Sequence, residues 1–461
     1  MKVLKKILIA FVTIIIGGFI YFILNFGPII SGFGAKAVCS CVYVGNRPIE
    51  SAVANELGAF PLSLGTFEIH PEDSSATGSV FGFASSKAIY REGLGCSLVR
   101  EHTEEEMKNA TASVHLKKPI LSDTTYWPLG AKMMDTVIAE LNLEKLHDAV
   151  KRSFDNTNPE IPAKTRAVVI IYDGQLIMEQ YSDEFTKESV QLGWSMTKSV
   201  TNGIFGIMTQ KGMIDVFQPA PVSEWADEND PRHQITTDAL LRMSSGLHWE
   251  EVYSNVSTAT NMLYKYADMG AFAASQPKEF EMNEKWYYSS GTSNILSRMI
   301  REQLGEEDYY QFAQRELFSK LGINSAVIEP DASGTFVGSS YMWANARDWA
   351  RLGELYINNG NWFGEQILPV DWVKYTVTPT ANTPQGQYGS QWWLNAGEPG
   401  NETNRLLPNV PTDMYMMDGY EGQRVFVVPS KKLVVVRLGQ NKRGGFDYDL
   451  FLSNVIAAIN E

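Results

Sequence analysis

The chain has 461 residues, 44% of them hydrophobic and 20% charged, which fits a folded protein of two or three domains and excludes a disordered one. A formal net charge of −14 disfavours a nucleic-acid partner and leaves no polybasic lipid-binding surface. Three cysteines (Cys39, Cys41, Cys96) without C-x-x-C spacing, and scattered histidines without H-x-x-x-H or H-x-H pairs, give no metal-site pattern.

Lys2, Lys5 and Lys6 precede the apolar run 7–24, and no charge occurs from Ile7 to Ala35. Such a run is long enough to cross a bilayer, which takes roughly 20 residues. The basic flank predicts a cytoplasmic N-terminus and an exported remainder. Ala35-Lys36-Ala37 resembles a signal-peptidase site but lies far beyond the apolar run. The reading is therefore an uncleaved membrane anchor, with secretion after cleavage near Ala37 as the alternative. In an oxidising compartment Cys39 or Cys41 pairs with Cys96; otherwise all three remain thiols.

The glycine-rich residues 25–36 read as a linker. Residues 37–125 form a separate block with short strand-like runs, "CVYVG", "GTFEIH" and "GSVFGF", and carry no recognisable chemistry. The organisation is thus 1–36 anchor or signal with linker, 37–125 extension, and 126–461 main domain.

The main domain opens with helical spacing over 133–154. "AVVIIYDGQLIMEQYS" reads as a hairpin turning at Asp173-Gly174. A helix follows from Ser195 and ends at Gly212. A mostly helical middle leads to a second hairpin around 429–432 and a closing amphipathic helix from Asp447. Helix and hairpin at one end, hairpin and helix at the other, imply an α+β fold: one antiparallel sheet flanked by N- and C-terminal helices, with a helical lobe inserted.

"GWSMTKSV" places Ser195 and Lys198 one helical turn apart on a shared face. A serine hydroxyl becomes a useful nucleophile only when a neighbour takes its proton. A partly desolvated lysine at a helix start can do so, and the helix N-terminus favours a developing oxyanion. Alone, the spacing fits an N-cap serine and a solvated lysine better, since S-x-x-K occurs by chance in many chains. Two further elements alter that balance. In "WYYSSGTSNILSRMI", Tyr288 precedes a helix beginning near Ser293 and is a candidate general base, the bland alternative being a core tyrosine. In "DGYEGQRVFVV", Gly419 and Gly422 bound Tyr420-Glu421, where a strand can approach a substrate closely and the Gln423 N–H can face an oxyanion; the alternative is a tight turn.

The order Ser-x-x-Lys, Tyr-x-Ser and a glycine-bounded strand resembles the serine β-lactamase and penicillin-binding-protein superfamily, as do "LLRMSSGLHW" at 240–249 and residues 342–369. The class C-like branch with 6-aminohexanoate-dimer hydrolases and family VIII carboxylesterases is the most similar, over about residues 130–461. The resemblance implies a β-lactamase/transpeptidase-like fold and a cofactor-free acyl-enzyme mechanism. Ser195 would be the nucleophile, and Lys198 with Tyr288 the proton-transfer pair. Ser290 would stand where the family often has Asn. Trp194, Tyr420, Glu421, Gly422 and Gln423 would line the substrate. Members that recognise penicillin carry Lys-Thr-Gly where this chain has Tyr420-Glu421-Gly422. The missing cation favours a small ester or amide over a β-lactam or a cell-wall peptide. A Ser-His-Asp hydrolase is disfavoured: residues 193–197 break G-x-S-x-G, and no histidine follows His248. A non-catalytic, membrane-anchored relative on the same fold is the remaining alternative.

Overall fold

The computed structural model describes residues 2–112, 114–133, 141–156, 160, 162–441 and 445–459. They form two compact units. The first takes in residues 1–113, 249–272 and 329–335, the second 114–248, 273–328 and 336–461.

The first unit begins with helix α1 (Lys2–Asn25), none of whose residues is buried. Helix α2 (Gly27–Tyr43) follows. Four strands make an antiparallel meander in chain order: β1 (Gly65–His70), β2 (Ser75–Val80), β3 (Phe83–Arg91) and β4 (Gly95–Leu98). The glycine-rich stretch expected as a linker is thus the start of α2, and "CVYVG", expected as a strand, holds its end. The glycines serve close packing. A Cβ on Gly34 would fall 1.8 Å from the Phe67 ring, and one on Gly27 2.5 Å from the Ala84 Cβ. "GSVFGF" is the turn of the β2–β3 hairpin.

Cys39 on α2 is disulfide-bonded to Cys96 on β4, and Cys41 is buried outside that disulfide. Beneath them Lys36 pairs with the buried Glu329. Glu329 Oε1 accepts from Ser40 Oγ at 2.7 Å and from the Cys96 backbone N–H at 2.7 Å. Breaking such a buried pair by removing one partner costs about 3–5 kcal/mol, so the cluster ties residues 329–335 into this unit.

The second unit comprises, in chain order, α3 (Leu143–Ser153), β5 (Thr165–Tyr172), β6 (Gln175–Tyr181), α4 (Thr197–Gln210), α5 (Ser290–Ala313), α6 (Ala346–Ile357), β7 (Trp393–Leu394), β8 (Tyr415–Gly419), β9 (Gln423–Val428), β10 (Leu433–Gly439) and α7 (Tyr448–Ile456), with shorter elements between. The helix expected over 133–154 is described only from Leu143, since 134–140 lie outside the described residues. The sheet order is β7-β8-β9-β10-β5-β6, antiparallel throughout. Asp173 and Gly174 both have positive φ, as a two-residue hairpin turn requires.

On one face of the sheet Val168, Ile170, Phe426, Leu433 and Val435 pack against Leu146 and Val150 of α3 and Phe451, Leu452 and Val455 of α7. Each such side chain contributes roughly 1.5–3 kcal/mol by leaving water. On the other face α6 approaches so closely that a Cβ on Gly353 would stand 2.7 Å from Val434 Cγ1 and 2.9 Å from Val425 Cγ1. Between β6 and β7 the chain supplies α4 and α5, whose N-terminal ends carry the candidate chemistry.

Candidate active site

Ser195 lies in a short turn, Trp194–Met196, that leads into α4. The preceding strand, Gln191–Leu192, pairs with Met342–Ala344, and the Gly193 N–H donates to the Met342 carbonyl at 2.8 Å. Trp194 has φ +48, uncommon for a bulky residue. Such backbone costs on the order of 1–3 kcal/mol and persists only where its surroundings impose it. Here Thr197 Oγ1 donates to the Trp194 carbonyl at 2.7 Å and accepts from the Met342 N–H at 3.0 Å. Gly193 leaves no alternative, since a Cβ there would stand 2.3 Å from the Trp349 ring.

The helix behind Ser195 is held from several sides. Asn202 Oδ1 accepts from Tyr356 Oη at 2.6 Å, and its Nδ2 donates to the Ser390 carbonyl at 3.0 Å. Ser199 Oγ donates to the Gln391 carbonyl at 2.8 Å. Residues 197–208 are all buried. A side chain on such a support keeps its direction.

Lys198 is 1% exposed. Its Nζ donates to Ser195 Oγ at 3.1 Å, to Ser290 Oγ at 3.0 Å and to the Ser339 carbonyl at 2.8 Å. Ser290 opens α5, capped by Ser289 Oγ, which accepts from the Thr292 N–H at 3.1 Å. The helix therefore begins at Ser290 rather than near Ser293, and Tyr288 stands in the irregular segment before it. Its half-buried ring centroid is 4.9 Å from Lys198 Nζ. Asn294, one turn further along α5, accepts the Ser339 N–H on Oδ1 at 3.2 Å and fixes the loop whose carbonyl faces Lys198.

At the third element β8 ends at Gly419, and Tyr420–Gly422 form a turn into β9. Among the described residues β7 pairs with Met416 and Tyr415 alone, and none forms a strand beside the last residues of β8 on that side. Gly419 fills this gap against the turn that carries Ser195: a Cβ there would stand 2.1 Å from the Gly193 carbonyl oxygen. The Tyr420 ring lies edge-on to Trp194 at 5.6 Å. Burial, reinforced by Glu421, raises the Tyr420 phenol above its usual range and keeps it protonated. Glu421 (φ +58) and Gly422 (φ +84) complete the turn. Gln423 sits opposite Gly419 in the β8–β9 ladder with its side chain turned to β10, where Oε1 accepts the Gly439 N–H at 3.0 Å and Nε2 donates to the Gly439 carbonyl.

The spatial set is thus Ser195, Lys198, Tyr288 and Ser290 together, with Trp194 and Tyr420 beside Ser195, and Gln423 directed toward Gly439. Residues not singled out from the sequence join it. Ser339 contributes a backbone oxygen, which no residue type signals. Buried Arg437 donates Nη1 to the Gly422 carbonyl at 2.9 Å and to Asn441 Oδ1 at 2.6 Å, bracing the 420–422 turn from behind. Burial lowers its guanidinium to about 10. Tyr388 and Trp393 pack on Tyr288 at 5.8 and 5.4 Å, and Trp286 on both, at 5.6 and 6.1 Å.

Known proteins share this architecture. A family model described as Beta-lactamase matches residues 161–452. The 6-aminohexanoate-dimer hydrolase of Paenarthrobacter ureafaciens is 22% identical over 298 residues, 59% of this chain and 72% of that protein. A solved family VIII carboxylesterase superposes with a TM-score of 0.54 at 15% identity, over 71% of this chain and 99% of its own. An octameric penicillin-binding protein homologue from Pyrococcus abyssi gives 0.50 at 16% identity, over 69% and 78%.

Proposed function

The chain belongs to the beta-lactamase family, and on that footing we propose that it is a serine hydrolase that cleaves an ester or amide of a small substrate through an acyl-enzyme on Ser195. The observation that carries this reading is the position of Lys198 Nζ, bonded at once to Ser195 Oγ and Ser290 Oγ beside the Tyr288 ring.

In this mechanism Ser195 Oγ attacks the substrate carbonyl while its proton passes to the Lys198–Tyr288 pair. Negative charge gathers on the carbonyl oxygen, to which the Ser195 N–H at the start of the α4 turn donates. The second donor is the Tyr420 N–H rather than that of Gln423, because the end of β8 closes on Gly193 whereas Gln423 lies across the ladder. The C–O or C–N bond breaks, the leaving group takes the proton from the pair, and water attacks the acyl-enzyme by the reverse route to free the acid.

The surroundings of the site support an uncharged substrate. Met417-Asp418-Gly419 and Tyr420-Glu421-Gly422 contain no lysine. Arg424 is committed to Asp418 at 2.9 Å and stacked 3.6 Å from the Tyr448 ring centroid. Trp286, Tyr388 and Trp393 around Tyr288 favour an apolar substituent.

The exposed apolar α1 supports a membrane anchor, by length and composition. Residues 35–41 are packed in the first unit, apart from the half-buried Ala37, so cleavage near Ala37 would open its core. The Cys39–Cys96 disulfide supports an oxidising, extracytoplasmic side.

The test is labelling of the detergent-solubilised full chain with a fluorophosphonate, followed by turnover of p-nitrophenyl esters, short linear amides and a chromogenic cephalosporin. An adduct on Ser195 with ester or amide turnover is expected. No adduct with any acylating probe removes the enzyme reading, and faster cephalosporin than ester turnover replaces the esterase/amidase reading with a β-lactamase one.

A further inference from the structure

The β2–β3 hairpin of the first unit ends in an aromatic tip that neither its turn nor its core explains. Phe81 (φ +53) and Gly82 (φ +74) are the two left-handed residues of the turn, closed by the Val80↔Phe83 pair. Such turns take Asn-Gly or Asp-Gly, and a bulky residue in the first position is disfavoured. Phe81 is 53% exposed and Phe83 57% exposed. No charged residue occurs between Asp73 and Lys87, which pair with each other at 2.8 Å further down the hairpin.

The tip is not isolated. The Phe19 ring on α1 meets Phe81 at 6.1 Å and Phe83 at 6.3 Å. Nearer the body of the unit, Ala84 packs against Gly27. The hairpin therefore runs along the helix from the level of Gly27 to that of Phe19, roughly 12 Å at 1.5 Å per residue. A hydrocarbon layer about 30 Å thick takes about 20 helical residues, which carries the span starting at Ile7 to about Phe26. Phe19 lies roughly 20 Å from Lys6 along the axis, inside that layer. Rings in contact with Phe19 then lie below the membrane surface too.

We propose that Val80-Phe81-Gly82-Phe83 is a membrane-inserted wedge, seated in the acyl region of a lipid bilayer beside α1, in the leaflet on the side of the first unit. The occupant is lipid because the phenylalanines continue the apolar belt of α1. The depth, roughly 10 Å, is that of interfacial apolar segments. A two-residue turn closed by its own strand pair exposes few backbone groups to lipid. The Asp73–Lys87 pair marks the wet end of the hairpin: Lys87 lies about four residues, roughly 13 Å, below Phe83, and Asp73 lies further from the tip. The wedge gives the first unit a second grip on the membrane, which fixes its rotation about the single α1 helix. The inference rests on α1 spanning the membrane.

The test uses the full chain in nanodiscs, with the fluorophore NBD attached in turn to Phe81→Cys, Phe83→Cys, Ile14→Cys within α1 and Glu105→Cys on the exposed surface of the unit. NBD at 81, 83 and 14 is expected to be quenched by lipids with a nitroxide on the acyl chain and shielded from aqueous iodide, and NBD at 105 to behave in the opposite way. Iodide quenching at 81 and 83 equal to that at 105, with 14 still in lipid, overturns the wedge and leaves the anchor standing. Iodide access at 14 as well removes the anchor and the wedge with it. Circular dichroism of each labelled chain checks the fold, and a misfolded Phe81→Cys chain is replaced by labelling Ser79→Cys, expected to be shielded from iodide if the tip is inserted and as open to it as 105 if not.

Discussion

Gly419 closes on Gly193: a Cβ at 419 would stand 2.1 Å from the Gly193 carbonyl oxygen, on the turn that carries Ser195. Gly419→Ala must therefore separate the end of β8 from that turn. If the oxyanion is held between the two, a displacement of about 1 Å costs roughly 100-fold in kcat/KM. The expected result is a loss of that size with the thermal midpoint lowered only modestly. Normal kcat/KM in a folded Gly419→Ala protein would separate β8 from the chemistry.

Lys198, Tyr288 and Ser195 are tested by subtraction. Ser195→Ala should abolish turnover and fluorophosphonate labelling while circular dichroism is unchanged. Lys198→Ala and Tyr288→Phe should each lower kcat by about 10²–10⁴, the range of a lost acid–base group. A near-normal rate in either takes that residue out of the proton path.

These parts of the site were legible because they are local. Ser195 and Lys198 share a helical face by spacing alone, and Ser290 lies two residues after Tyr288, just ahead of the helix start expected near Ser293. What was hidden depends on distant chain. Nothing near Gly419 says that it meets Gly193, because the pairing of β8 in the sheet fixes that approach. The Ser339 carbonyl is a backbone atom and leaves no trace in residue type. Glycines at 27, 32 and 34 read as a linker because composition does not distinguish a glycine that frees the backbone from one that admits a neighbouring ring or strand. The continuous β-branched runs in β5, β9 and β10, by contrast, carried the sheet directly.

Ser290 accepts from Lys198 with a hydroxyl. Ser290→Ala removes one neutral acceptor from the buried Lys198 Nζ, worth on the order of 1–2 kcal/mol, and should lower kcat about tenfold. Ser290→Asn restores an acceptor of another shape and should recover most of that loss. A wild-type kcat in Ser290→Ala would show that the third bond to Lys198 is immaterial.

Glu421 stands in the turn after Gly419, in the Tyr420-Glu421-Gly422 segment that the resemblance sets against the Lys-Thr-Gly of the penicillin-recognising relatives. Glu421→Lys should improve kcat/KM for carboxylate-bearing substrates by about tenfold relative to their neutral esters, by replacing repulsion with attraction. The ratio between the two substrate sets is the measurement, since it cancels general effects on the turn. An unchanged ratio would place the substrate carboxylate elsewhere.

Asp331 supplies a pH signature of the first unit. Its carboxylate accepts from Ser333 Oγ at 2.7 Å and from the N–H groups of Thr335 and Met269, both at 3.0 Å. Burial outweighs these bonds and, helped by Asp268, raises the group to about 7. Below about pH 4 an Asp is protonated whether the chain is folded or not, and it costs nothing. Between about 4 and 7 the unfolded chain ionises while the folded one does not, so stability falls as pH rises. Above 7 the folded group ionises too and the loss is complete, on the order of 4 kcal/mol. The thermal midpoint of the full chain in detergent should therefore be higher at pH 5 than at pH 8. In Asp331→Asn, neutral at every pH, that difference should shrink whatever the variant costs in absolute stability. The same difference in both proteins would assign the pH dependence to other groups.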